Sequence, residues 1–556
     1  MFVKATSLTK SSRSAFLGLG RFSSTGAALA DDDVYDVVVV GAGMVGAALS
    51  SLIGSHPITK NLKIALVDHQ QAPTAEWSAP AVPEARVSTI TPASISCLAQ
   101  AGAWNDLCPP HSVAFSSMQV WDTAGPGFIR WHTCPPDHPS SSSDHSSFSH
   151  PTSSHPLPDT MGVVVENSLL QSALLRSAQH QCGDLSMMWG TSVSNLLLPR
   201  YTPGGMGAAA TAAAHADEQR RQQRQQGSGG SSGGGSGGGG SSGGEGSGHG
   251  LAQVVVTGGD GAAAGGGRVL RARLVVGADG ANSRLRGMAG LRTLDRDYHQ
   301  RGVVATVRLE EPSPTAWQRF LPTGPLALLP VRDGYSNVVW STTPQMAAQL
   351  SAMTPSRFAD AVNAALNDPS DPASSIPFRG AGLLEPLRAM LQHPMTGSLD
   401  SLFGLGSGYD GRSEFQPPPR VLGWEGAPPR SFPLVARQSG RYVRQRFALV
   451  GDAAHSIHPM AGQGVNLGFA DVECLAAALV MATKTGADIG DERVLQELYQ
   501  DPRQAANLSM AATLDTLQRV FRVEGSPFAL LRSLGMGALN VSGPVKDRIM
   551  RYAMGL

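Results

Sequence analysis

The sequence predicts an α/β protein in which a doubly wound parallel sheet is assembled from separated segments of the chain. Four apolar, largely β-branched runs support this class: VYDVVVVGAG at 34–43, LKIALVD at 62–68, RLVVGADG at 273–280 and FALVGDAAH at 447–455. Such runs, ending in glycine or an acid, are typical of strands buried on both faces of a parallel sheet. The β-rich segments between the later runs predict an inserted sheet domain, and a helical region is predicted at the C-terminus.

The composition fits a soluble globular enzyme with more than one domain. The chain has 556 residues, of which 41% are hydrophobic, and its formal net charge is zero. A balanced charge without a long basic block argues against nucleic acid as a partner. Five cysteines without a Cys-x-x-Cys pair indicate reduced thiols. Because no uninterrupted apolar run approaches the roughly 20 residues of a membrane span, any membrane contact is predicted to be peripheral.

Three segments are predicted to lie outside the folded domains. Residues 1–32 are basic, rich in Ser and Thr, and free of acids before Asp31, which indicates an organelle presequence and favours a mitochondrial address over a plastid one. The Ser/His/Pro tract at 137–159 predicts a disordered loop whose histidines are solvated, so no metal site is expected there. The Gly/Ser-rich tract at 203–267 predicts a flexible insertion.

The first motif is a GxGxxG loop that follows the first strand and opens a helix over 44–53. Its residues are Gly41, Ala42, Gly43, Met44, Val45 and Gly46. Gly41 allows the tight turn, Gly43 lets the backbone approach a pyrophosphate, and Gly46 lets the helix pack on the strand. Asp68, at the end of the next strand, can accept hydrogen bonds from ribose hydroxyls. The pattern predicts a dinucleotide and does not by itself distinguish FAD from NAD.

Two further motifs follow strands later in the chain. GADGANSRLR begins at Gly277, and GDAAHSIHPMAGQGVNLG runs over 451–468. An Asp just after a strand, such as Asp452, can bind ribityl or ribose hydroxyls. The GQGVN turn leads into a helix whose N-terminal N–H groups can face negative charge, such as that on a reduced flavin ring.

In this order and spacing, the three motifs resemble those of the class A flavoprotein monooxygenases, the relatives of p-hydroxybenzoate hydroxylase. The segments at 85–104, 118–122, 316–330 and 542–555 are similar to the ubiquinone-biosynthesis hydroxylases, above all to their mitochondrial members. The resemblance implies a discontinuous Rossmann-like FAD domain, an inserted β-sheet substrate domain and a C-terminal helical region. The implied FAD domain comprises 33–115, 161–300 and 441–482, the substrate domain 116–160 and 301–440, and the helical region 483–556.

The resemblance also implies a set of cofactor-binding residues. Gly41, Gly43 and Gly46 would cradle the FAD pyrophosphate, and Asp68 would hold the adenosine ribose. The others would lie near the flavin or its ribityl chain: Arg86, Asp279, Gly280, Gly451, Asp452, Pro459, Gly462, Gln463, Gly464, Val465, Asn466 and Leu467. No catalytic side chain is predicted, because the flavin carries the chemistry. His455 is predicted to be structural.

The implied function is hydroxylation, by way of a flavin C4a-hydroperoxide, of a 4-hydroxy-3-polyprenylbenzoate-type precursor at C5 with O2. Ferredoxin and its reductase are the implied electron source, with direct reduction by NAD(P)H as the alternative. The protein would act within a coenzyme Q synthesis complex, peripheral to the matrix face of the mitochondrial inner membrane. Two other functions stay open: a flavin hydroxylase acting on another phenol or isoprenoid, and a non-catalytic flavin-bound subunit. For 528–536, a helix covering the flavin domain is favoured over a docking surface.

Overall fold

The computed structural model describes residues 33–73, 79–123, 127–133, 160–199, 250–258, 267–367, 415–458, 462–522 and 526–555. The predicted presequence at 1–32 and the whole of the predicted Ser/His/Pro loop at 137–159 lie outside the described residues. So do most of the predicted insertion at 203–267 and Pro459 of the third motif.

The strands of the described residues alternate with helices through the first half of the chain and dominate its middle. In chain order they are β1 (Val34–Val40), β2 (Ile64–Val67), β3 (Val87–Ile90), β4 (Ser112–Phe115), β5 (Ser117–Asp122), β6 (Phe128–His132), β7 (Gly162–Glu166), β8 (Leu185–Met188), β9 (Thr191–Leu197), β10 (Ala252–Gly258), β11 (Arg268–Gly277), β12 (Thr293–Leu309), β13 (Thr315–Leu321), β14 (Gly324–Pro330), β15 (Tyr335–Thr342), β16 (Val421–Trp424), β17 (Arg430–Ser439), β18 (Val443–Arg444), β19 (Phe447–Leu449) and β20 (His455–Ser456).

The helices concentrate at the C-terminus. They are α1 (Met44–Ser55), α2 (Pro92–Gln100), α3 (Asn167–Gln181), α4 (Arg284–Met288), α5 (Pro344–Ser351), α6 (Pro355–Asn367), α7 (Gly464–Thr485), α8 (Glu492–Leu495), α9 (Asp501–Arg522), α10 (Ser526–Val541) and α11 (Gly543–Met554). A π-helical turn, Gln496–Gln500, joins α8 to α9.

The first sheet is parallel at its centre and has the order β18-β19-β11-β1-β2-β8, with β10 and β9 added beside β11. Strand β1 pairs in parallel with β11 and β2. Its Val37, Val38 and Val39 are fully buried, and helix α1 packs against both α3 and α7. Because successive side chains of β1 point to opposite faces and both faces are covered, the run of valines produces the buried parallel strand that the sequence predicts.

The second sheet has nine strands in the order β20-β17-β12-β15-β14-β13-β5-β6, with β16 paired to β12. Its neighbours are antiparallel except for β13 and β5. On one face Trp121 and Trp317 pack in a cluster with Phe358 of α6. Strand β12 begins at Thr293 and continues through a bulge after Asp297, so it crosses the predicted domain boundary between 300 and 301. A small third sheet has the order β3-β7-β4.

The predicted flexible insertion is wrong over 252–258, where the structure has strand β10. This strand pairs antiparallel with β11 on one side and β9 on the other. Val254 and Val256 are buried while Gln253 is exposed, which is the alternation of a half-buried strand. The few alternating valines lie directly beside the glycine-rich tract, so the composition of the whole region predicts a flexible segment and does not reveal the strand.

The sequence favours a helix at 528–536 that covers the flavin domain, and this predicted position is also wrong. Helix α10 packs on β6 of the second sheet, and Met536 joins a cluster with Val120, Ile129 and Phe320. The helix is anchored by a buried ion pair between Arg532 Nε and Asp122 Oδ2 at 2.5 Å. An amphipathic pattern shows that one helix face is buried but does not say which sheet covers it.

Helix α7 is, among the described residues, the one helix long and apolar enough to cross a membrane. More than half of its most apolar stretch is buried inside the protein, and its Asp471 is fully buried. Because it packs against α1, α7 is a core helix of the first domain.

Candidate flavin site

The loop between β1 and α1 carries the first motif, and two of its glycines are required by close backbone contacts. Gly41 has φ +108°, and a Cβ there would lie 2.3 Å from the Ala278 carbonyl oxygen. A Cβ at Gly46 would lie 1.9 Å from the Gly41 carbonyl oxygen. By contrast, a Cβ at Gly43 would meet no described atom within 4 Å. The protein therefore packs on Gly41 and Gly46, whereas Gly43 borders an open cradle.

Helix α1 begins beside this cradle. Gly43 is its N-cap residue, and no described side chain caps the first turn, which contains Met44 and Val45. Unpaired N–H groups at a helix N-terminus, together with the helix dipole, attract an anion such as a pyrophosphate. The cradle can therefore hold a dinucleotide phosphate.

Asp68 lies at the carboxyl end of β2 and fixes the loop from the other side. Its Oδ2 accepts the Ala42 N–H at 2.7 Å, and its Oδ1 accepts the Gln70 N–H at 2.8 Å. Gln171 of α3 donates to the Ala42 carbonyl oxygen at 2.8 Å. Each carboxylate oxygen can accept a second hydrogen bond, so Asp68 can hold the loop and also bind a ribose hydroxyl. Gln171 is not among the predicted site residues, because α3 carries no recognisable motif.

Asp279 of the second motif has one satisfied and one unsatisfied oxygen. Its Oδ2 accepts the N–H groups of Arg284 and Leu285 at 2.8 and 3.2 Å and so caps α4. Its Oδ1 is buried and has no partner among the described residues. The next residue, Gly280, has φ +79°. Since a buried acceptor without a partner is costly, the free oxygen fits a hydroxyl or N–H donor of a bound cofactor.

Arg286 joins the second motif to the third. It is buried and donates to the Ala453 carbonyl oxygen at 2.7 Å and to the Ala281 carbonyl oxygen at 3.1 Å. Burial, followed by the charge of nearby Arg437, lowers the pKa of Arg286, although an arginine stays cationic in proteins. The sequence contains Arg286 within the quoted motif, but only the structure shows this bridging role.

The first and third motifs pack directly on each other through Val45. A Cβ at Gly451, which has φ +58°, would lie 3.1 Å from Val45 Cγ2, and a Cβ at Gly468 would lie 2.7 Å from the same atom. Val45 therefore sits between two glycines of the third motif. The three motifs form one continuous site.

Asp452 projects from this junction. Its side chain is open to solvent, yet its surroundings are crowded with protein atoms. That desolvation raises the pKa of Asp452, although the charge of nearby His455 opposes the shift. An exposed carboxylate at this position can accept hydrogen bonds from ligand hydroxyls.

A buried polar network supports the third motif from behind. Asp471 Oδ2 lies 2.5 Å from His455 Nε2 and accepts the Gly451 N–H at 3.1 Å. Asp471 Oδ1 accepts from Arg503 Nε at 2.8 Å and from Asn507 Nδ2 at 3.1 Å. Burial acts to raise the pKa of Asp471, but the charges and hydrogen bonds of His455 and Arg503 outweigh it and hold the pKa below its usual value.

The His455 imidazole is buried against the Asp471 carboxylate. This position fits the structural role that the sequence predicts for His455. The predicted site residues do not include Asp471, Arg503 and Asn507. Two signals point to them: a charged residue in the apolar helix α7, and polar residues spaced i, i+4 on α9, which places them on one helix face.

The GQGVN segment is fixed to the small sheet by Asn466. Its Nδ2 donates to the Thr89 carbonyl oxygen at 2.8 Å, and its Oδ1 accepts the Thr91 N–H at 3.1 Å. Gly462 has φ +61°. Helix α7 begins at Gly464 after Gln463, and no side chain in the described part of the chain caps it. Its free N-terminus offers a second region of positive potential.

The remaining predicted residues are distributed as follows. Arg86 is exposed and immediately precedes β3, the strand whose end contacts Asn466. Val465 is partly buried against the core of the first domain, and Leu467 is buried. The described residues contain no group of three or more His, Cys, Asp or Glu side chains that could hold a metal ion.

His458 is buried beside this site without a hydrogen-bond partner among the described residues for either ring nitrogen. Its ring packs edge-on against Tyr298, with 4.9 Å between the ring centroids. Burial lowers the pKa of His458 to about 4.

We expect the free energy of unfolding to fall as the pH is lowered from 6.5 to about 4, the ordinary and folded pKa values of His458. In this window the unfolded chain binds a proton that the folded protein resists, so acid favours unfolding by up to about 1.4 kcal/mol per pH unit. Denaturant unfolding of the wild type and His458→Phe across this range measures the effect. The variant should show the shallower dependence, and equal slopes would exclude His458 as its source.

Residues 427–507 match a family described as an FAD binding domain. The mitochondrial ubiquinone biosynthesis monooxygenase COQ6 of Xenopus tropicalis is 32% identical over 537 residues, which cover 96% of this chain and 94% of the relative. The Homo sapiens protein of the same name is 32% identical over 524 residues, covering 94% and 93%. The chain belongs to the COQ6 family.

Solved structures show the same fold at lower identity. The p-nitrophenol 4-monooxygenase PnpA from Pseudomonas putida DLL-E4 matches with a TM-score of 0.55 and 17% identity, covering 94% of this chain and 97% of the other. PqsL from Pseudomonas aeruginosa matches with a TM-score of 0.52 and 17% identity, covering 90% and 99%. The predicted α/β fold class, with its inserted sheet and C-terminal helices, is confirmed.

As a member of the COQ6 family, the chain is an FAD-dependent monooxygenase of ubiquinone biosynthesis. The predicted family, cofactor and enzyme class are therefore confirmed. The relatives carry mitochondrial names, which supports a mitochondrial location for this chain.

Proposed function

We propose that the three motifs hold FAD in the way that the sequence predicts. Gly43 and the first turn of α1 would bind the pyrophosphate, Asp68 the adenosine ribose, and Asp452 the ribityl chain. Arg86 and residues 462–467 would lie beside the isoalloxazine ring, whereas Pro459, also predicted to bind the cofactor, lies outside the described residues. The open cradle at Gly43, the unsatisfied Asp279 Oδ1 and the two uncapped helix N-termini support this assignment.

Apolar residues of the small sheet, the second sheet and α11 meet in what we call the junction cluster. It consists of Phe115, Met161, Val164 and Ala316, with Val87, Met118, Trp131, Leu329, Met550 and Met554 packed against them. Val87 belongs to β3, whose end is bonded to Asn466, so the cluster borders the candidate flavin site. Its four methionines can rearrange around an irregular apolar guest, because their side chains are unbranched and polarisable.

The junction cluster is the observation that carries the substrate proposal. A methionine-rich apolar cluster beside a flavin site fits a phenolic ring with an isoprenoid chain. The resemblance to the ubiquinone-biosynthesis hydroxylases implies hydroxylation at C5 of a 4-hydroxy-3-polyprenylbenzoate-type precursor, and the junction cluster fits the isoprenoid part of that substrate.

Bound FAD, once reduced by two electrons, supplies the chemistry in which one atom of O2 enters the ring C–H bond and the other leaves as water. The chain's own residues orient the ring and exclude water. The N-terminus of α7 stabilises negative charge beside it.

The test uses reduced, FAD-loaded protein, O2 and a prenylated 4-hydroxybenzoate, with the unprenylated ring as a matched control. We expect one added oxygen atom by mass spectrometry, located at C5 by NMR, and much less product from the control. Flavin reoxidation with no hydroxylated product would contradict the proposal and favour a non-catalytic flavin-bound subunit. Equal turnover of the control, or of another phenol, would favour a different substrate.

Ferredoxin and its reductase are proposed as the electron source, since this follows from the resemblance to the mitochondrial hydroxylases. The alternative is direct reduction by NAD(P)H, and bleaching of the flavin absorbance under anaerobic conditions distinguishes the two electron sources. Reduction by NADPH only in the presence of the ferredoxin pair is expected, whereas rapid bleaching by NADPH alone would overturn this assignment.

The chain is further proposed to work in a coenzyme Q synthesis complex, peripheral to the matrix face of the inner membrane. A substrate with a long isoprenoid chain resides in a bilayer, which supports this location. After import into mitochondria, the protein should resist protease until the inner membrane is opened, and carbonate extraction should release it.

A further inference from the structure

The two C-terminal helices present different faces to the protein and to solvent. On the inner face of α11, Met550 and Met554 pack in the junction cluster. The Ala553 carbonyl oxygen accepts a hydrogen bond from Gln463 Nε2 at 3.0 Å. Helix α11 therefore covers the proposed substrate region and touches the loop that begins α7.

Helices α10 and α11 each carry large apolar side chains that are exposed to solvent. Between 37% and 65% of each is open to solvent: Phe528, Leu531, Leu534, Val545, Ile549 and Tyr552. The spacing i, i+4, i+7 of the last three places them on one stripe of α11. We call these six exposed side chains of α10 and α11 the apolar outer face.

Both helices are held firmly, so the exposure does not come from a loose tail. The buried Arg532–Asp122 ion pair fixes α10, and Asn540 Oδ1 accepts the Arg130 N–H at 2.9 Å. Lys546 Nζ, in the first turn of α11, donates to the Arg130 carbonyl oxygen at 3.0 Å. A fixed apolar row on the surface marks a site of contact with a membrane or another apolar partner.

The charges beside the apolar outer face decide between these occupants. Arg548 and Arg551 are exposed on α11, against the single acid Asp547 in the segment 526–555. Exposed cations next to an apolar stripe complement anionic lipid headgroups above acyl chains, which is the arrangement of helices that lie in a bilayer interface.

We infer that α10 and α11 dock the protein on an anionic bilayer through the apolar outer face, and that the inner face of α11 receives the substrate's isoprenoid chain from that bilayer. The second half of this statement rests on the proposed function, because it assumes a lipid-resident substrate. The first half rests on the geometry and charge of the helices alone.

Vesicle binding tests the first half. Full-length, FAD-loaded protein is sedimented with phosphatidylcholine vesicles, with and without phosphatidylglycerol. We expect binding to the anionic vesicles that weakens with salt, and a loss of about tenfold or more in the double variant Leu531→Ser/Ile549→Ser. Leu294→Ser, at an exposed leucine of β12, is the matched control and should bind as the wild type does. Arg548→Gln/Arg551→Gln should lose the preference for anionic vesicles.

FAD content and the melting temperature of each variant separate docking from misfolding. Both should match the wild type, because the replaced side chains are exposed. Two results would overturn the docking surface and favour a protein partner. One is that the double variant binds vesicles as well as the wild type does, and the other is that the wild type does not bind vesicles.

Turnover separates the two halves of the inference. With a short-chain substrate in solution, the double variant should be as active as the wild type, but with a long-chain substrate in vesicles it should lose activity in parallel with binding. Vesicle binding without turnover of either substrate would leave the docking surface standing and overturn the proposed substrate. Unchanged turnover in vesicles by a variant that no longer binds them would overturn substrate transfer from the bilayer.

Discussion

Gly46→Ala is expected to yield protein without FAD and with reduced stability. The added Cβ would lie 1.9 Å from the Gly41 carbonyl oxygen and 3.2 Å from Ala278 Cβ. Neither neighbour can turn away, because the oxygen belongs to the backbone of the glycine loop and Ala278 belongs to the turn that follows β11, the strand beside β1 in the sheet. Overpacking of this kind costs about 1–3 kcal/mol or more. It also moves α1 away from β1, which enlarges the cradle that Gly43 borders.

Two other glycines give matched controls for this result. At Gly43 a Cβ meets no described atom, so Gly43→Ala should fold normally and yet bind FAD at least about tenfold more weakly, since the methyl group enters the side from which a pyrophosphate approaches. Gly287, exposed within α4, also has free space, and Gly287→Ala should keep both stability and cofactor. Flavin absorbance and thermal unfolding measure both properties. Full FAD occupancy in Gly46→Ala would refute the packing argument.

Asp471→Asn is expected to destabilise the protein by about 3–5 kcal/mol, the cost of breaking a buried ion pair by removing one partner. The change leaves the Arg503 guanidinium without its carboxylate and weakens the bond from the Gly451 N–H, so FAD affinity should fall with stability. Asp106→Asn is the control, because Asp106 and Arg176 form an exposed ion pair at 2.9 Å. Such exposed pairs contribute about 0–1 kcal/mol.

The pH dependence of this difference has a definite sign. The folded-state pKa of Asp471 is lowered, so its stabilising effect is fully present above the unfolded pKa of about 3.9 and is lost as the pH falls through the folded value. The gap between wild type and Asp471→Asn should therefore be constant near neutrality and close only in strong acid. Denaturant unfolding at several pH values measures it, and a gap that already closes near pH 6 would assign the effect to another group.

The parts of the site that sequence could predict are those that depend on local backbone geometry. Gly41 and Gly46 are predictable, because a tight strand–turn–helix connection leaves room for no other residue. The fold class follows from buried runs such as the valines of β1, which only a sheet covered on both faces accommodates. These features depend on residues that are near one another in the chain.

The parts that sequence could not predict depend on partners that are distant in the chain. Asp471 has an obvious position in an apolar helix, but nothing local shows that His455 and Arg503 converge on it. The amphipathic pattern of α10 likewise indicates a buried face without naming β6 as its cover. Strand β10 was hidden for a different reason, since the adjacent glycine-rich tract outweighed its few alternating valines.

The position of Val45 between Gly451 and Gly468 also has a consequence for how the protein is made. A chain that is synthesised or translocated N-terminus first presents the glycine loop long before the third motif that packs on it. Contacts of such high sequence separation form slowly, and until they form, helix α1 lacks the cover of α7 and leaves apolar surface open to aggregation. We therefore expect cofactor loading to be a late event, and we expect a chain that ends before Gly451 to lose FAD even if its first strands fold, because it lacks the proposed contacts of the third motif.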